Sequence, residues 1–145
     1  MTCREFTLGR WLMGRLPHGR DMVTAIEEYC TENDIQTAVF SAIGAVSSAT
    51  LGAYDQKQQV YVTFKKTGNL EILSCLGNVS LKEGRPMAHA HVTLATEDGA
   101  TVGGHLFSDT IVFAGEIQLL ALSGKPLTRE YDEATGLMLW PLLNT

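Results

Sequence analysis

The chain predicts an α+β fold, a mixed and mainly antiparallel β-sheet with one main helix packed on it. Three observations lead there. Apolar residues recur at helical spacing in one marked stretch, Met22, Ala25, Ile26, Tyr29 and Cys30. Strand-like runs fill most of the remainder, with few helices to carry parallel crossovers. Finally, 145 residues that are 45% hydrophobic and 19% charged suffice for one proper core but not two. One domain over residues 1–145 is therefore expected, without repeats, linkers or low-complexity segments.

Arg4–Arg15 alternates Phe6, Leu8 and Arg10 before Trp11-Leu12-Met13, and reads as an opening strand. His18-Gly19 makes a turn. Asp21 is placed to cap a helix of about three turns ending near Asn33, with Glu27 and Glu28 on its outer side. Gln36–Ile43 is a short apolar strand, followed by a Ser-rich stretch into Ala49–Tyr54. Gln59–Lys66 and Leu70–Val79 read as two strands joined at Gly68-Asn69. A hairpin over Met87–Phe107 comes next, then the largely apolar Thr110–Leu122, interrupted by Gly115-Glu116. Leu137–Leu142 is expected to close the sheet as a last strand.

The hairpin carries three of the chain's four histidines within seventeen residues: His89, His91 and His105. His-x-His on a strand puts both rings on one face, because side chains alternate with period two. Whether His105 joins them depends on register. A two-residue Asp98-Gly99 turn would pair Val92 with His105 and send it to the other face. A three-residue loop, Glu97-Asp98-Gly99, with Gly in the left-handed position, pairs His91 with His105. The apolar pattern selects the second, since a one-residue slip inverts a whole strand. It alone gathers Ala90, Val92, Leu94, Val102 and Leu106 on one face, leaving His89, His91, Thr93, Gly103 and His105 on the opposite one. Opposed Cβ atoms lie roughly 5 Å apart, and three imidazoles that close can hold one divalent ion at about 2.0–2.1 Å per nitrogen. The alternative is a polar strand face whose histidines are merely solvated. Gly103 and Gly104 leave room beside His105 for backbone, ligand or another subunit.

Two carboxylates sit inside apolar strands, Glu71 in LEILSCL and Glu116 in IVFAGEIQLL. Buried, each would need a partner and could orient a ligand histidine or act as a base beside a metal. The competing reading for both is an edge position facing water.

Composition removes several classes. Net charge is −5, from 11 Lys+Arg against 16 Asp+Glu, with no basic run. That disfavours nucleic-acid binding by phosphate neutralisation, leaving a local patch built in an oligomer as the route to DNA. Cys3, Cys30 and Cys75 are odd in number and form no Cys-x-x-Cys, as expected of reduced thiols in the cytoplasm. No signal peptide or membrane span is expected, so the sequon Asn78-Val79-Ser80 carries no meaning as a glycan site. Gly84-Arg85-Pro86 matches the centre of an AT-hook, but Glu83 and Met87 flank it, and it reads as a turn. Gly124-Lys125-Pro126 lacks the spacing of a phosphate loop, and no nucleophile elbow surrounds Ser47 and Ser48. Cys75 reads as a buried structural thiol rather than a nucleophile, and His18 as an exposed turn residue.

Taken in order, IGAVSSATLG (Ile43–Gly52), GNLEILSCLGNVS (Gly68–Ser80), GRPMAHAHVTLATEDG (Gly84–Gly99) and VGGHLFSDTIVFAGEIQL (Val102–Leu119) resemble the plant and prokaryote conserved (PPC) domain. The similarity runs from about Phe6 to Leu142, and the His-x-His with Gly-Gly-His-Leu is specific to the bacterial and archaeal branch. The resemblance implies a trimer of single-domain subunits. It implies that His89, His91 and His105 hold a metal, zinc, near the subunit boundary. Plant members are nuclear DNA-binding proteins with separate AT-hooks, which this chain lacks. Where they read Gly-Arg-Phe-Glu-Ile-Leu, this sequence has Gly68-Asn69-Leu70-Glu71-Ile72-Leu73.

Two functions follow as expectations. One is a homotrimeric zinc-binding module with a regulatory, DNA-associated role. The other is a zinc-dependent enzyme, a hydrolase, using three histidines and an open coordination position with Glu71 or Glu116 nearby.

Overall fold

The computed structural model describes residues 3–142. Strand β1 (Thr7–Leu16) leads into helix α1 (Met22–Glu32), followed by β2 (Ala38–Asp55), β3 (Val60–Lys82), β4 (Arg85–Ala95) and β5 (Thr101–Ser123). A short hairpin, β6 (Glu130–Asp132) and β7 (Leu137–Leu139), ends the described chain. The main sheet has the order β1-β5-β2-β3-β4, every pairing is antiparallel, and β4 also pairs with β5. Strands β2, β3, β4 and β5 therefore form a closed ring, sealed between β4 and β5 over His91–Ala95 and Thr101–His105. One parallel bridge, Leu81 to Thr128, lies outside the named strands. The expected α+β architecture, a mainly antiparallel sheet with one helix on it, is what the chain adopts.

The helix begins where the capping pattern places it. The Asp21 Oδ1 accepts the Thr24 N–H at 2.8 Å, and Met22, Ile26 and Cys30 form its buried stripe against the sheet. The other oxygen of the same carboxylate, Oδ2, accepts the Thr110 N–H at 2.9 Å. One side chain thus ties the helix start to β5 within the register break between Phe107 and Ile111, opposite Ser48–Thr50. Met22, Val46, Leu51, Val79, Leu94 and Val112 are among the fully buried side chains of the core between helix and sheet. Each contributes about 1.5–3 kcal/mol from burial.

The long strands differ from the sequence-based expectation. The runs expected at Gln36–Ile43 and Ala49–Tyr54 fall, from Ala38 on, in one strand, β2, and those expected at Gln59–Lys66 and Leu70–Val79 fall, from Val60 on, in β3. Thr110–Leu122 is the second half of β5. The cause is a set of bulges. In β2 the core-facing residues are Ala38, Phe40 and Ala42 before the register shifts, and Ala49 and Leu51 after them. Each extra residue resets the two-residue phase and looks like a strand end to a periodicity argument. The last expectation also changes. Leu137–Leu139 does not close the main sheet, but pairs with Glu130–Asp132 in a sheet of its own. This segment is laid over the main sheet through Arg129 N–H to Leu81 O and Tyr54 Oη–H to Thr135 O, both 2.7 Å.

Candidate metal centre and its cavity

The β4–β5 hairpin has the register that places His91 opposite His105. Thr96 N–H donates to Ala100 O, Gly99 N–H donates to Thr96 O, and Gly99 has φ +81°, so Glu97-Asp98-Gly99 is a three-residue loop. Ala90, Val92, Leu94 and Leu106 face the core, and the three histidines face away from it. Ring closure crowds this point, because His105 is paired with His91 on one side and Gly52 on the other. A Cβ on Gly104 would stand 2.7 Å from the Gly52 carbonyl oxygen. Glycine here admits a neighbouring backbone.

One donor nitrogen from each of His89, His91 and His105 lies within 4.8 Å of the others. The ring centroids are 4.9 to 5.4 Å apart. Such a cluster can hold a metal ion, and two further observations fit one. The Nδ1 of His105 is buried without a hydrogen-bond partner, an uncompensated cost for a polar atom. Burial, then the charges of His89, His91 and Arg129, push the pKa of His105 down to about 4. Burial, with Arg129 and His91, also lowers that of His89. Imidazoles kept neutral are in the form that ligates metals.

Two of the histidines, His89 and His105, open onto a cavity of about 450 Å³ bordered also by Tyr61, Phe107, Arg129 and Met138, while His91 lies outside its lining. Tyr61 and Phe107 pack on His105 with centroids at 4.8 and 4.6 Å. Glu27 reaches the same cavity from the helix. The β4–β5 ladder stops at His91 and His105, so the Ala88 N–H has no strand partner on that side. The Glu27 Oε1 accepts it at 2.9 Å. Burial is the leading cause of its raised pKa. Glu27 thus departs from its expected outward position, whereas Glu28 is exposed and pairs with Arg20 at 2.7 Å.

Glu71 and Glu116 are both exposed, as the water-facing reading has it, and neither borders the cavity. Glu71 pairs with Ala95, four residues or about 13 Å along β4 from His91. Glu116 pairs with Ile43 and Arg15 and lies in a separate groove with Met13. Cys75 lies on the core face opposite Val92, fully buried, its thiol pushed up to about 11 by burial. His18 is exposed, with Nδ1 2.7 Å from Phe113 O.

Arg129 is the residue that sequence reasoning missed. Only 6% exposed, it meets Ser80 Oγ at 3.0 Å, Asn78 Oδ1 at 2.9 Å and the Met138 carbonyl at 3.1 Å. Its Nη2 is 3.4 Å from His89 Nδ1. The two polar residues of the sequon are therefore its acceptors. A single Arg in LTREYDE carries no periodicity or spacing that could have located it.

Fold and site together define a small antiparallel β-protein with a histidine cluster on its outer face. The model of the Plants and Prokaryotes Conserved (PCC) domain, the family also abbreviated PPC, matches residues 3–123, and the chain belongs to that family. It is 48% identical to a metal-containing protein of Archaeoglobus fulgidus, covering 97% of this chain and 99% of that one, with a TM-score of 0.93. A PPC protein of Pyrococcus horikoshii is 36% identical over all of both chains, with TM-score 0.93. A Ralstonia eutropha protein with DNA binding as its suggested role is 27% identical, covers 90% of each chain and has a TM-score of 0.79. The bifunctional protein GlmU of a Synechococcus strain is 32% identical over 124 residues, 84% of this chain. The chain spans only about a fifth of that relative's length, 19%.

Proposed function

We propose that this protein is a homotrimeric metal-binding module whose zinc ion is held by His89, His91 and His105 at the mouth of the cavity. The single observation carrying it is the convergence of one nitrogen from each of the three imidazoles within 4.8 Å. When bound, zinc in a three-imidazole site acts as a Lewis acid toward an oxygen donor at its open position. The chain's own residues do the rest. Burial holds His105 and His89 as neutral donors, Tyr61 and Phe107 shield His105, and Arg129 supplies a fixed positive charge beside His89. The 48%-identical relative, described as metal-containing, supports the reading. The test is metal content of the purified protein beside His91→Ala. About one ion per chain is expected, dropping at least tenfold in the variant; equally little zinc in both would end the proposal.

The trimer rests on an exposed apolar sheet face. Trp11, Met13 and Leu76 are 71%, 81% and 64% exposed, and Val39 and Ile43 lie on the same face. One cross-strand row runs Met13, Gln118, Ser41, Leu76 and His91, so this face leads directly to a histidine of the cluster. A neighbouring subunit packed there would border the metal.

Two other readings have their own support. The cavity beside the histidines favours a zinc-dependent enzyme, with Glu27 rather than Glu71 or Glu116 as the carboxylate at hand. A DNA-associated role rests on the suggested role of one relative, against a net charge of −5. A gel shift with salt titration tests it, and no retention at low salt would exclude it.

A further inference from the structure

Among the described residues Arg129 has no anionic partner within ion-pair distance. Among the described residues, the ion pairs are Arg20–Glu28 and Lys65–Asp109, both on the surface. A charge buried to this degree is ordinarily paired, yet Arg129 is held by a hydroxyl, an amide oxygen and a backbone carbonyl, all neutral. Glu27, the carboxylate on the same cavity wall, spends its Oε1 on the Ala88 N–H. The guanidinium is also fixed in place. The Trp140 ring lies 5.5 Å from it, and Ser80 Oγ, its acceptor, in turn takes the Trp140 indole N–H at 3.0 Å. Its Nη2 is aimed at the histidine cluster, and Lys82 adds a second positive charge to the cavity lining. The remaining wall is largely apolar and aromatic, including Val60, Tyr61, Phe107, Leu137 and Leu139. A volume of about 450 Å³ is in the range of small-molecule sites.

We infer that this cavity binds a small organic carboxylate, gripped by the Arg129 guanidinium on one side and offered to the metal of the three histidines on the other. Ser80, Met138 and Asn78 take three of the five guanidinium N–H groups, leaving one on Nη1 and one on Nη2 to donate to a carboxylate, and the apolar wall suits a hydrocarbon body better than a bare inorganic anion. The inference rests on the metal reading for its second anchor only.

Asn78→Asp separates this role from a structural one. It keeps the acceptor at 2.9 Å from Arg129 but places a carboxylate there, answering the charge from within. A purely structural arginine would tolerate or gain from that change, while an anion site would be filled. The experiment loads the protein with Co²⁺, checks metal content, and titrates acetate, butyrate, succinate and inorganic phosphate by calorimetry and visible absorption. Saturable binding of at least one carboxylate, with a shift of the Co²⁺ spectrum, is expected. Its Kd should rise at least tenfold in both Asn78→Asp and Arg129→Gln, and Asn78→Asp should keep its metal and fold. No carboxylate binding, phosphate binding alone, or an unchanged Kd in Asn78→Asp would overturn the inference. If Co²⁺ fails to load, the metal reading falls by itself. The same calorimetry on metal-free protein then decides the Arg129 site, which stands only if carboxylate binds and Asn78→Asp weakens it tenfold.

Discussion

Glu27 occupies a helix position that spacing assigns to solvent, yet its carboxylate ends on the Ala88 amide beside the histidines. Burial raises its pKa above the usual 4.5, which fixes the sign of a pH effect. The folded state holds the proton more tightly, so stability is full below about 4.5 and declines as pH rises through the raised value. Glu27→Gln keeps an acceptor for Ala88 without the charge. It should raise the unfolding free energy from urea titration at pH 7 by roughly 0.5 kcal/mol, solvent screening allowed for, and the gain should vanish at pH 4. A gain that persists at pH 4 would contradict this account. The histidines show the converse case of legibility. His89, His91 and His105 were readable because a two-residue period and an apolar pattern constrain them, whereas the helical period points Glu27 away from the cavity it borders and no pattern points to Arg129.

Among the elements, the helix and the hairpin were the most readable, since each is specified by local chemistry. Asp21 caps α1 from the sequence position that capping rules select, and Gly99 supplies the left-handed turn residue. What local chemistry does not reveal is the second bond of Asp21, from the Thr110 amide. Asp21→Ala loses the bonds from the Thr24 N–H, the Thr24 hydroxyl and the Thr110 N–H together, and should destabilise by about 2 kcal/mol or more, at or above the upper end for a cap alone. Thr24→Ala, which removes the side-chain bond to the same Asp21 oxygen at 2.7 Å, should cost less, about 1 kcal/mol. Equal losses in urea unfolding would show that the two backbone bonds of Asp21, from Thr24 and Thr110, contribute nothing. The long strands were the least legible elements, because bulges shift the inward phase in mid-strand and divide a 23-residue strand such as β3 or β5 into apparent pieces.

For the whole molecule, the apolar face across β1, β5, β2 and β3 is the feature with the largest consequence. Leaving Trp11 and Met13 in water is unfavourable, and a trimer packed on this face would cover them. Mass in solution should correspond to three chains, and Trp11→Glu with Leu76→Glu should shift it to one without unfolding the subunit. A wild-type monomer would contradict the trimer. Because Leu76 is the cross-strand neighbour of His91, the double variant should also bind metal more weakly, by threefold or more.

The α+β class, the capped helix and the register that sets His91 against His105 were all present in the amino-acid order. Each depends on contacts between residues close in the chain, where period, turn chemistry and capping act directly. The ring closed by β4 on β5, the uninterrupted length of β2 and β3, and the seating of the last hairpin over the main sheet were decided by tertiary structure. So was the meeting of Arg129 with Asn78, Ser80 and His89, between 40 and 51 residues apart. Contacts over such separations leave no local period, because a buried charge is positioned by whichever neutral oxygens the fold brings to it.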